Sequence, residues 1–125
     1  MPRTFFLLGA LFAFLGVAAG AFGAHSLKAV LSSEMLAVFE TAVRYQMYHA
    51  FALLAVGWAG TQSQQPSVRL AGWMFVLGIV LFSGSLYGLS FSGSRWLGAI
   101  TPLGGVAFLA GWALLAWGLW KASTK

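Results

Sequence analysis

Residues 33–55, SEMLAVFETAVRYQMYHAFALLA, decide how the rest of the chain must be arranged. The stretch holds both acidic residues, Glu34 and Glu40, together with Arg44, Gln46 and His49. These run directly into apolar sequence with no Gly or Pro to stop a helix. A charged segment that continues into hydrocarbon needs internal partners or water. The remaining chain reads as apolar helices able to supply them.

Composition points the same way. The chain has 125 residues, 60% hydrophobic and 7% charged, with mean hydropathy +0.86. Soluble domains carry about 25% charged residues. So few charges cannot cover a water-facing surface, and the class is integral membrane. The seven basic residues, which against two acidic ones make the net charge +5, are scattered singly at positions 3, 28, 44, 69, 95, 121 and 125. No basic patch forms, so nucleic acid is not an expected partner. Single charges between spans respond instead to the positive-inside bias and to anionic lipid. With no cysteine, disulfides, thiol redox chemistry and cysteine-held metal are excluded.

A membrane span needs about 20 apolar residues. Four stretches free of Asp, Glu, Lys and Arg reach that length: 4–27, 45–68, 70–94 and 96–120. They predict a single all-α membrane domain, a bundle of four transmembrane helices over about 4–24, 33–59, 70–91 and 101–120. The second helix, at roughly 40 Å, exceeds the hydrocarbon core of about 30 Å and is expected to lie partly in the interface. The first stretch also has signal-peptide features, with Arg3 ahead of the apolar run and Ala19-Gly20-Ala21 after it. Its glycines favour a retained helix. Gly9, Ala13, Gly16, Gly20 and Gly23 recur at heptad spacing, a seam for close helix contact in lipid. Gly104, Ala107, Gly111, Leu114 and Gly118 repeat the seam in helix 4, and Gly84 with Gly88 forms a GxxxG pair in helix 3. The two seams are expected to meet each other or a second copy.

Local signals set the ends. Ser32 or Ser33 can cap helix 2, with Glu34 near the positive end of its dipole. The polar run 60–68, GTQSQQPSV, reads as a solvated turn. Thr101 before Pro102 reads as an N-cap. Glu40 and Arg44 stand in the favourable i,i+4 order, and Arg44 is expected either to pair with Glu40 or to snorkel to the interface.

Tracing four spans in alternating directions brings the polar side chains to one half of the bilayer. The candidates are Glu40, Arg44, Tyr45, Gln46, His49, Ser83, Ser85, Tyr87, Arg95 and Thr101. They form either a polar pocket open to one side or a buried network that fixes helix 2. Catalytic and metal signals are weak. Ser83 or Ser85 with His49 lacks an orienting acid, and two histidines with two glutamates make no ligand spacing. No cofactor is expected.

The blocks GAFGAHSLK, ETAVRYQMYHAFALL, FSGSLYGLSFSG and GAITPLGGVAFLAGW, taken together, resemble the bacterial family catalogued as domain of unknown function 423. That family is akin to the eukaryotic transmembrane protein 256. The residues carrying the resemblance are Gly20, Gly23, His25, Arg44, Tyr45, Gln46, His49, Ser83, Gly84, Tyr87, Thr101, Pro102, Gly104 and Gly105. The resemblance implies a four-helix inner-membrane protein with no established activity or catalytic residue. The expected function is non-enzymatic binding of membrane lipid, of a membrane-protein partner or of a second copy. The alternative is a small transporter or channel with Glu40, Arg44 and His49 lining a vestibule. Basic residues number four on the side of Arg3, Arg69, Lys121 and Lys125 and three on the other, which places both termini in the cytoplasm.

Overall fold

The computed structural model describes residues 2–124, which are all-helical with no strand. Four long helices run α1 Pro2–His25, α2 Ser33–Gln62, α3 Pro66–Ser92 and α4 Thr101–Ser123. Short 3-10 turns, Leu27–Ala29 and Arg95–Ala99, join α1 to α2 and α3 to α4. Three helical stretches are long and apolar enough to cross a membrane: Pro2–His25, Pro66–Ser92 and Arg95–Ser123. The 30-residue α2 is not among them, because its first half carries the polar residues.

The ends follow local chemistry. Ser32 caps α2, its hydroxyl accepting the Met35 N–H at 3.1 Å. The polar run 60–68 is mostly helical rather than a solvated turn. Only Ser63–Gln65 lies outside helices, since Pro66 at the first position of α3 has no N–H to lose. Gly93 closes α3 at φ 70°, the conformation a side chain would resist, with its N–H on the Leu89 carbonyl. Thr101 does not cap α4, whose N-cap is Ile100. Its hydroxyl bonds Ser85 instead.

The helices alternate in direction. α2 and α3 form the central pair, α1 packs chiefly on α2, and α4 chiefly on α3. The glycine seams therefore serve sequence neighbours, not each other. A Cβ on Gly9 would lie 2.9 Å from the Ala50 carbonyl, and one on Gly23 would lie 2.8 Å from the Phe39 ring. Gly16 faces Met47 and Gly20 faces Val43, both again on α2. On α4, Gly104 meets the Phe82 backbone, Gly111 the Phe75 ring and Gly118 the Val68 side chain, all on α3. Short connections make each helix the antiparallel neighbour of the next, so each seam is consumed inside its own hairpin. Gly84 and Gly88 do not make the expected helix contact. A Cβ on Gly84 would meet nothing within 4 Å, and one on Gly88 only the Leu97 side chain.

The apolar core centres on Phe5, Leu53, Val56, Phe75, Phe108 and Leu115. It fills the half of the bundle nearer the Ser63–Gln65 link. The polar side chains within helices occupy the half nearer the two 3-10 turns. Midway along α3, residues Ile79–Ser83 form a π turn. Such turns often mark functional sites, and this one borders two lateral grooves, through Ile79, Val80 and Ser83 on one side and Phe82 on the other.

Candidate functional site

Each pair of packed helices carries a hydrogen bond that ties it. Gln46 is the centre of the set. Its Nε2 donates to the Phe12 carbonyl of α1 at 2.8 Å, and its Oε1 accepts the Tyr87 hydroxyl of α3 at 2.7 Å. One α2 side chain thus holds three helices. Gly16 makes this possible, for it leaves bare the turn of α1 that the amide approaches. Ser83 is 1% exposed and donates to the Ala42 carbonyl at 2.7 Å, tying α3 to α2. Ser85 and Thr101 share a hydroxyl bond at 2.6 Å, tying α3 to α4.

His49 links α2 to α4. Its Nδ1–H donates to the Tyr45 carbonyl at 2.7 Å, and its Nε2 accepts the Trp112 indole N–H at 3.1 Å. The two bonds select the neutral Nδ1–H tautomer. The imidazole also stacks on Phe108, with ring centroids 3.5 Å apart. Both ring nitrogens are engaged. The Ser83 and Ser85 hydroxyls bond elsewhere, so neither serine is hydrogen-bonded to His49.

The charged candidates lie apart from this network. Glu40 and Arg44 are exposed on the outer face of α2, and they make no ion pair with each other. Glu40 and Arg44 therefore stay outside the buried hydrogen bonds that hold His49. Arg44 and His49 stand five residues apart, about 140° around a helix, so His49 turns inward to Trp112 while Arg44 stays on the exposed face. Among the described residues the one ion pair is Arg95–Glu34 at 3.8 Å, which joins the exposed Arg95–Ala99 turn to the first turn of α2. Tyr45 is half-buried, its ring tilted on Phe82 at 4.6 Å. No three of His, Asp or Glu come together among the described residues.

Two lateral grooves flank the network. One lies between α1 and α3, with α2 as its floor, and has a volume of about 560 Å³. Phe12, Leu15, Phe22, Val80 and Phe91 form its walls, and Gln46, Ser83 and Tyr87 reach its floor already hydrogen-bonded. The other, about 650 Å³, lies between α2 and α4 over Phe82. Tyr48, His49, Val106, Leu109 and Trp112 line it. Exposed apolar side chains line both openings, Leu15, Phe22, Val80 and Phe91 at one and Val106 and Leu109 at the other.

Reading the sequence alone missed two groups of this site. Trp112 carried a usable signal, because an indole N–H inside an apolar helix needs an acceptor and His49 offers one. The Phe12 carbonyl carried none, since no side chain marks it.

The four-block pattern has a counterpart in a family model described as "Protein of unknown function (DUF423)", which matches residues 19–105. The chain belongs to this family. It is 50% identical over 120 residues to a UPF0382 membrane protein of Staphylococcus saprophyticus, covering 95% of this chain and 98% of the relative. It is 50% identical over 114 residues to the UPF0382 membrane protein YwdK of Bacillus subtilis, covering 90% and 93%. A Haemophilus influenzae UPF0382 membrane protein is 41% identical over 124 residues, covering 99% of each chain. No solved structure matches. The matched region takes in the residues of this network except Phe12 and Trp112.

Proposed function

We propose that this chain crosses the bacterial inner membrane four times and works, without catalysis, as a binding protein for membrane lipid. Hydrocarbon chains enter sideways from the bilayer into the lateral grooves. One observation carries the reading: the helix-to-helix polar groups are satisfied by one another, while two apolar grooves stay open to the side. A hydrogen-bonded network of this kind holds a frame, and an open apolar groove in lipid accepts an acyl chain.

The antiparallel packing of α2 between α1 and α3 supports the fourth crossing, because α2 shares their length and apolar surroundings. The excess of Arg3, Arg69, Lys121 and Lys125 over Lys28, Arg44 and Arg95 supports cytoplasmic termini. Transport draws little support, since Glu40 and Arg44 face outward and the half beyond His49 is packed with Leu53, Val56 and Phe75.

A phospholipid with a photoreactive group on its acyl chain tests the reading in reconstituted vesicles. Crosslinks concentrated on groove residues such as Leu15, Val80, Val106 and Leu109 are expected. Crosslinks spread evenly over all exposed apolar residues would overturn it. A membrane protein that reproducibly co-purifies and shields the grooves would assign them to a partner helix instead.

A further inference from the structure

We propose that the α2–α4 groove and the Glu40–Arg44 stripe above it form one site for a zwitterionic aminophospholipid, with ammonium on Glu40, phosphate on Arg44 and acyl chain in the groove. This deepens the lipid-binding reading and rests on it.

The argument starts from Arg44. It is exposed on a face whose next members are Tyr48, 52% exposed, and Phe51, 56% exposed. An arginine on a lipid-facing surface needs an anion or must reach the interface. Among the described residues it makes neither an ion pair nor a hydrogen bond. Glu40 is one turn nearer the start of α2, also exposed and also without an ion pair. The start of α2 adjoins the exposed turn containing Lys28, so Glu40 lies outside Arg44 by about 6 Å along the axis.

Residues four apart advance by about 40° around a helix. The stripe Glu40, Arg44, Tyr48 therefore winds from the outer face of α2 into the groove, where Tyr48 is a wall. Moving inward, the order is carboxylate, guanidinium, apolar groove. A phospholipid with an ethanolamine headgroup presents its complement in the same order: ammonium, phosphate, hydrocarbon. A planar guanidinium grips a phosphate through paired hydrogen bonds. A lipid whose headgroup lacks the ammonium leaves Glu40 beside a negative charge, and the site discriminates against it.

Gly105 permits a clean test. It lines the groove, and a Cβ there meets nothing within 4 Å. Gly105→Phe thus fills the groove without displacing a helix, which circular dichroism and a melting curve check. The full chain is reconstituted in nanodiscs of equimolar phosphatidylethanolamine and phosphatidylglycerol with matched acyl chains. Retained lipid is then counted by native mass spectrometry. The wild type is expected to retain phosphatidylethanolamine about tenfold over phosphatidylglycerol, the size of one charge-assisted hydrogen bond. Glu40→Gln is expected to abolish that preference. Arg44→Gln is expected to lower retention of both lipids about tenfold. Gly105→Phe is expected to lower both regardless of headgroup. A wild type that holds both lipids equally, with loss only in Gly105→Phe, overturns the headgroup site and leaves lateral lipid binding standing. An undiminished preference in Glu40→Gln also overturns it. A wild type that retains no lipid overturns both readings.

Discussion

Gln46 shows what a polar side chain does inside this bundle. It joins α1 to α3 through α2 with two hydrogen bonds, and neither bond leaves it free for a solute. Interhelical hydrogen bonds in membranes contribute about 0.6 kcal/mol on average and at most about 1.7. Gln46→Leu is therefore expected to cost about 1 kcal/mol, and Tyr87→Phe about half of that. A double-mutant cycle on reversible unfolding in detergent micelles should return a coupling of about 0.6 kcal/mol between them. Additive effects would mean that the bond does not form. His49 obeys the same logic with Trp112. In proteoliposomes, His49→Ala should leave proton and solute leak at the wild-type level while lowering the melting temperature. A wild-type flux that the substitution abolishes would restore the transport reading.

At the scale of the helix, two adjacent glycines of α4 separate packing from openness. Gly104 lies against the Phe82 backbone beside the π turn, and backbone cannot step aside. Gly104→Ala is expected to destabilise by about 1–3 kcal/mol through overpacking. Gly105 has no neighbour to clash with. Gly105→Ala should stabilise by up to about 1 kcal/mol, because alanine is the better helix former. Thermal unfolding of the two variants checks the contrast, and equal effects would contradict this helix register. Heptad-spaced glycines were visible in the sequence, but their partners were not. Spacing says that a helix comes close along a line. It does not say which helix, and here the short connections settled that in favour of the sequence neighbour.

The whole molecule is an open, zigzag layout rather than a closed barrel of four helices. α2 and α3 sit in the middle, with grooves left on opposite sides. The natural absence of cysteine makes its topology measurable by single-cysteine labelling. Ser26→Cys and Ser94→Cys should react with an impermeant thiol reagent from one side. Ser63→Cys and Ser123→Cys should react from the other. Ser26→Cys and Ser63→Cys reacting from the same side would show that α2 does not cross.

Composition and periodicity alone determined that this chain is an all-helical protein of apolar helices, with polar groups gathered toward one end. Hydropathy and residue spacing are properties of the chain, and they carry that much without any contact. The four quoted blocks were also enough to suggest the family. Helix ends were less legible at Pro66 and Thr101, where one residue serves equally well as a turn or a first helical position. The use of the polar groups was decided by tertiary structure. Whether Arg44 shares a cavity with His49, or Gln46 meets Tyr87 and the Phe12 carbonyl, depends on which faces three separate helices turn to one another. That rotation is set by the summed packing of glycine seams and the Phe75 core, a non-local quantity that no single stretch encodes.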